Sequence, residues 1–204
     1  MAACAAANAY AQDGDCAVTL LAGAVYGQSQ HSTDTHITPA FSIDGNGAGV
    51  GYGCRWRNGR WVGGFEADYM KTSTKGSGID TSGFESTTEV ENTGTLRLTG
   101  GFMLRPKLLF YLTGGFSTAS VKATVCPAPT SCAAEAHRLY GGVFGGGFEY
   151  AFTPQISARL EALWFGLDNK TYFSVPPAGS GILTRSGGVS PDIQTIRAGL
   201  SWHF

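Results

Sequence analysis

The sequence predicts an all-β fold, an eight-stranded antiparallel up-and-down transmembrane β-barrel, and three observations point to it. Apolar residues repeat at every second position through most of eight segments, the period of a strand with two unlike faces. Tight turns alternate with connections of about twenty residues or more, a length that compact soluble domains rarely leave without structure. Charged residues make up only 14% of the chain, against roughly 25% in an ordinary soluble domain. Yet no apolar run reaches the ~18 residues of a membrane helix.

The segments follow in chain order. Residues 18–26 are nearly apolar throughout. Residues 48–57 set Val50, Tyr52 and Trp56 against Arg55 and Arg57. Residues 60–70 set Trp61, Phe65 and Tyr69 against Glu66, Asp68 and Met70. In 96–104, Leu96, Leu98, Phe102 and Leu104 oppose Arg97 and Thr99. In 108–118, Leu108, Phe110, Leu112 and Phe116 oppose Tyr111, Thr113 and Ser117. In 144–152, Phe144, Phe148, Tyr150 and Phe152 oppose Glu149. In 156–166, Ile156, Leu160 and Trp164 oppose Ser157, Arg159 and Glu161. In 195–204, Ile196, Leu200, Trp202 and Phe204 oppose Arg197, Gly199, Ser201 and His203. About nine to eleven residues is the length of a tilted strand that crosses a bilayer.

Arg57-Asn58-Gly59-Arg60, Arg105-Pro106-Lys107 and Thr153-Pro154-Gln155 have the chemistry of tight turns. The connections at 27–47, 71–94, 119–142 and 167–193 are rich in Ser, Thr, Gly and Pro. Short periplasmic turns at one end and long extracellular loops at the other are the expected arrangement.

If the apolar faces meet lipid, the charged faces line the lumen. The interior charge network then comprises Arg55, Arg57, Glu66, Asp68, Arg97, Glu149, Arg159, Glu161 and Arg197. An eight-stranded barrel is just wide enough for side chains to fill, and buried charges need partners. A structural polar core is the favoured reading; a proton or ion path is the functional alternative. A soluble sandwich would instead put its charges in water, which the aromatic residues near strand ends, such as Trp56, Trp61, Trp164 and Trp202, disfavour.

Ala9-Tyr10-Ala11 followed by Gln12 has the form of a signal cleavage site. Residues 1–11 are therefore read as a signal-peptide remnant and 12–204 as the barrel domain. Of five cysteines, Cys4 leaves with that leader. Cys126 and Cys132 enclose a short loop with two prolines and form the best candidate disulfide. Zinc is the competing reading, and the spacing does not suit it. The pairing of Cys16 and Cys54 stays open.

Leu96-Arg97-Leu98-Thr99-Gly100-Gly101 with Leu109-Phe110-Tyr111-Leu112-Thr113-Gly114-Gly115-Phe116 resembles the central hairpin of the outer membrane protein β-barrel domain family. Gly145-Gly146-Gly147-Phe148-Glu149-Tyr150-Ala151-Phe152-Thr153-Pro154, followed by Ser157-Ala158-Arg159-Leu160-Glu161, resembles it too. These are the small, porin-like and opacity-type relatives of outer membrane protein A. The chain's end, with Arg197, Gly199, Trp202 and terminal Phe204, resembles the recognition signal of barrel substrates. The resemblance implies handling by the barrel-assembly machinery, and residence among outer-membrane lipid and lipopolysaccharide of a Gram-negative cell.

No phosphate cradle, cofactor motif or basic excess for nucleic acid is present. Loop polarity accounts for His31, Asp34 and His36. No cofactor, metal site or catalytic residue is assigned. The expected function is non-enzymatic: envelope structure, or surface interaction through the loops with an extracellular ligand. A narrow channel for small solutes or ions is the alternative, followed by a rim enzyme acting on lipid or peptide.

Overall fold

The computed structural model describes residues 14–32, 39–79, 85–128, 131–168, 170–172 and 187–204. The proposed leader at residues 1–11 lies outside them. Eight long antiparallel strands run up and down and close into a ring: β1 (Asp15–Ser32), β2 (Phe41–Asn58), β3 (Trp61–Ile79), β4 (Glu85–Arg105), β5 (Leu108–Ala128), β6 (Ser131–Ala151), β7 (Ile156–Leu167) and β9 (Gly187–His203). A short β8 (Lys170–Tyr172) pairs with β9 beyond the end of β7. Closure is made by β9, which pairs with both β7 and β1. It leaves no open sheet edge at this level, the condition for a strand structure to cross a bilayer.

The pairing fixes the shape. From Ala17 the directly opposed residues are Gly53, Glu66, Arg97, Gly115, Val143, Phe165, Ile193 and then Gly27. The ladder thus returns to β1 ten residues beyond its start. With eight strands this stagger corresponds to a tilt of roughly 40° and a lumen that side chains can fill.

One expectation needs correction. The segments read as long loops are largely strand. β3 continues to Ile79, β4 starts at Glu85, and β5 and β6 run to Ala128 and from Ser131. Ser, Thr and Gly blurred the alternation there, although Thr pairs well in sheets. The outward face explains the change of composition. From Trp56, Trp61, Trp202 and Phe204 near the tight turns, an apolar belt extends to Tyr69, Phe116, Phe144 and Trp164, all exposed. Above it the outward residues turn polar. Asp44 opposes Lys75, Lys75 opposes Glu89, and Glu89 opposes Lys122, a row of alternating charge. Register shifts at Lys71/Thr74 and Val90/Asn92 mark the start of this polar zone, as bulges at barrel rims do.

Candidate functional site: a plugged lumen

Inside the belt, four arginines and four carboxylates meet across the lumen. Arg97 donates to Glu161 at 2.7 Å, to Asp68 at 2.9 Å and to Glu66 at 3.1 Å. Arg197 holds both oxygens of Asp68, at 3.0 and 2.7 Å, and its Nε donates to Glu161 at 3.0 Å. Arg159 crosses from β7 to Glu66 at 2.8 Å. Arg55 binds Glu66 and reaches Glu149 at 2.6 Å. Thr95 adds a hydroxyl to Asp68 at 2.7 Å. Arg97, Arg197, Glu149 and Glu161 are at most 2% exposed. Buried charges survive only with matched partners and saturated hydrogen bonds, and here one sign answers the other throughout.

Strand pairing places these groups. Glu66 lies opposite Arg97, Glu149 opposite Arg159, and Glu161 opposite Arg197. Glycines make room for them. A Cβ at Gly53 would stand 2.8 Å from Glu66 Cγ, and one at Gly147 would stand 3.0 Å from the Tyr111 hydroxyl. The Arg55 guanidinium also lies over the Tyr111 ring, 5.1 Å from its centroid.

Eight of the nine residues expected in the network are brought together. Arg57 is the exception. Its strand ends at the turn, and its Nε donates to Gly59 O at 2.8 Å instead. It stands at the mouth, clear of the ion pairs described.

The charges occupy one level between apolar layers. Towards the tight turns lie Val62, Met103, Leu109 and Ala151. Towards the far end, Val25, Met70, Val143, Leu163, Phe165 and Ile193 pack together, each at most 3% exposed. This second layer fills the lumen, and Ile43, Val90, Val121 and Leu139 continue it into the polar zone. The Ser29 and Thr88 hydroxyls meet across it at 3.0 Å.

The alternation already put His203 on the inner face, but its partners were not legible. Nδ1 lies 2.6 Å from Asp15 Oδ2 and Nε2 lies 2.8 Å from Ser157 Oγ. Asp15 had no place in the eight segments. The order Asp–His–Ser resembles a hydrolytic triad, yet the Ser157 hydroxyl donates to Glu149 Oε1 at 2.8 Å and is fully buried. The hydroxyl is thus shared between Glu149 and the His203 ring and lies away from the surface. A cavity of about 30 Å³ at this end is lined by Asp15, Arg57, Arg159, Ser201 and His203 among others; it has room for about two waters.

Cys126 pairs with Cys132, and Cys16 pairs with Cys54, directly opposite it on β2. Among the described residues no cluster could hold a metal ion. The side chains of His31, Asp34 and His36 lie outside them. Of the proposed assembly residues, Arg197 and Gly199 face inward, whereas Trp202 and Phe204 face outward, 59% and 69% exposed.

The model of the outer membrane protein β-barrel domain matches residues 1–204. Among solved structures, the fold is similar to OprG of Pseudomonas aeruginosa, at 12% identity and a TM-score of 0.55, covering 96% of this chain and 98% of that one. It is also similar to Ail, the attachment invasion locus protein of Yersinia pestis, at 13% identity and 0.52, covering 95% and 100%. Ail has also been solved with the heparin analogue sucrose octasulfate. No curated protein sequence matches the chain.

Proposed function

Because the chain belongs to the outer membrane protein β-barrel domain family, we propose that it acts as a non-enzymatic surface-interaction protein of the Gram-negative outer membrane. The barrel is a closed anchor, and the extended far end meets a partner outside the cell. The observation that supports this reading most is the filled lumen. The apolar layer of Val25, Met70, Val143, Leu163 and Phe165 lies on the far side of the charge network, so that two packed levels follow one another along the barrel. Strands that continue past the apolar belt, with packed residues inside them, form a rigid stalk under the loops.

The ligand solved with Ail is sulfated. The described far-end surface of this chain favours a different chemistry. Lys71, Lys75, Lys122 and Arg138 are outnumbered by Asp44, Glu85, Glu89, Glu91, Glu135, Asp168 and Asp192. Such a surface repels polyanions. Lipid and lipopolysaccharide contact the belt, and Arg197, Gly199, Trp202 and Phe204 serve as the signal read by the assembly machinery.

Planar-bilayer recording with the refolded protein tests the anchor. Silence from an inserted, heat-modifiable protein is expected, and openings of reproducible size overturn it. Cells displaying the chain test the interaction. Binding to host matrix or cell surfaces is expected to fall when the hairpins are cut back to the belt; unchanged binding overturns that role.

A further inference from the structure

The cations outside the lumen are not matched by acids at the end that carries the tight turns. Arg57 and Arg60 flank the β2–β3 turn, and Arg105 and Lys107 flank the β4–β5 turn. These hairpins are neighbours, and Arg60 links them. Its Nε and one Nη donate to Met103 O at 3.3 and 3.2 Å. Lys107 carries the row on to the β6–β7 turn, where its Nζ donates to Phe152 O at 3.4 Å. Arg60, Arg105 and Lys107 are exposed. Among the described residues none of the four belongs to an ion pair. The other side of the rim, where β9 meets β1, has no Lys or Arg in 14–18 or 200–204. The cations thus form a one-sided arc from β2 to β6.

Aromatic residues set the level of this arc. Trp61 and Phe102 meet edge to face at 5.1 Å, and the Arg60 guanidinium lies over the Phe102 ring, 4.4 Å from its centroid. Trp56, Trp61 and Phe152 are exposed beside the same turns. Rings of this kind settle where hydrocarbon gives way to headgroups, and long cationic side chains reach past them to the phosphates. Arg meets phosphate oxygens with paired N–H donors and Lys meets them as a point charge. The sign of the headgroup follows from the arc's composition. An ethanolamine headgroup brings an ammonium along with its phosphate, and the turns 57–60 and 105–107 hold no carboxylate to receive it. An anionic headgroup brings only the charge that the arc matches.

We propose that Arg60, Arg105 and Lys107 bind the headgroups of anionic phospholipids in the periplasmic leaflet, so that phosphatidylglycerol-type lipid gathers around the barrel from β2 to β6. Arg57, half-buried and donating to Gly59 O, stands at the mouth behind them. The inference is independent of what the far end binds.

The test uses the refolded chain in phosphatidylcholine bilayers with a trace of spin-labelled phosphatidylglycerol or phosphatidylethanolamine. Electron spin resonance gives the fraction of each label held at the barrel surface. Phosphatidylglycerol is expected to be favoured about fivefold, the contribution of one cation at an anionic lipid surface. The preference is expected to disappear in about 1 M salt, where the screening length falls to about 3 Å. Arg60→Gln with Arg105→Gln and Lys107→Gln is expected to abolish it. Lys71→Gln with Lys122→Gln and Arg138→Gln, an equal loss of charge at the far end, is expected to leave it in place. Equal association of the two labels with the wild type overturns the proposal, and so does a preference that survives the first triple variant. Soluble peptidoglycan fragments form a second arm. Fragment binding that depends on the arc, without any lipid preference, assigns the surface to a periplasmic polymer and also overturns the proposal. Heat-modifiable mobility checks the folding of each variant, because Arg60 also holds Met103 O. If the first triple variant does not fold, Arg105→Gln with Lys107→Gln decides in its place: a weakened preference is expected, and an unchanged one overturns the proposal.

Discussion

Arg97 on β4 and Glu161 on β7 face each other across the lumen with 2.7 Å between Nη1 and Oε2, although 64 residues separate them in sequence. Arg97 is also bonded to Glu66 and Asp68, so it is shared by three carboxylates. Replacing Arg97 with Met is expected to cost roughly 3–5 kcal/mol, because it leaves buried anions short of a cation. Arg97→Met with Glu161→Gln is expected to regain part of that loss. Urea unfolding in lipid vesicles measures both. A double-variant loss equal to the sum of the losses of Arg97→Met and Glu161→Gln alone would show that the pair is not coupled.

The apolar layer makes a separate contribution. Phe165 lies opposite Val143 and Ile193, and Leu163 packs beside it in the same cluster. Each truncation to Ala is expected to destabilise the barrel by about 2–5 kcal/mol. The double variant is nevertheless expected to remain silent in planar bilayers, since the charge layer still fills the level below. Denaturation midpoints and recordings check the two halves of this prediction. A conducting double variant would mean that the apolar layer alone seals the lumen.

How much of this was legible depended on the face and the level. Alternation showed which side of each strand carries charge, and hence Arg97, Arg159, Glu161 and Arg197 as one inner set. It could not pair them, because partners such as Arg159 and Glu66 are chosen by barrel stagger, which no single segment contains. Arg57 shares its inner face with Arg55, yet the turn takes its side chain. The strand extensions were hidden for another reason. Above the belt the outer face meets water, so Lys75, Glu89 and Lys122 replace apolar residues and erase the two-residue contrast. Asp15 precedes the apolar run that opens at Val18, so alternation does not reach it, although β1 starts three residues earlier.

The glycines separate by face. At Gly53 an added Cβ would lie 2.7 Å from Phe65 O and 2.8 Å from Glu66 Cγ, both inside the wall. At Gly100 it would meet nothing within 4 Å. Gly53→Ala is expected to destabilise the barrel by an amount typical of overpacking, about 1–3 kcal/mol. Gly100→Ala is expected to be neutral or slightly stabilising. Boiled and unboiled gel mobility, followed against temperature, distinguishes them, and equal effects would contradict the packing argument.

The two disulfides differ in the length of chain they close. Cys16–Cys54 spans 38 residues and Cys126–Cys132 spans 6. Chain entropy gives the larger effect to the longer loop, and a native bridge is typically worth about 2–4 kcal/mol. Cys16→Ser with Cys54→Ser is therefore expected to destabilise more than the corresponding change at Cys126 and Cys132. Unfolding midpoints with and without reductant provide the comparison. The reverse order would place the effect in native packing rather than in the unfolded chain.

Phe204 offers the sharpest separation of assembly from stability. Its side chain points outward and is 69% exposed to the surroundings of the barrel, while its backbone N–H still closes on Cys16 O at 2.9 Å. Phe204→Ala keeps that hydrogen bond and removes no inward packing. Refolding in detergent is therefore expected to be nearly unchanged. In cells, loss of the terminal aromatic is expected to reduce the folded, membrane-inserted fraction several-fold, because the proposed signal includes it together with Arg197, Gly199 and Trp202. Heat-modifiable protein in isolated outer membranes measures the cellular effect, and refolding yield measures the intrinsic one. A parallel fall in both would make Phe204 a structural residue; a fall in cells alone assigns it to recognition.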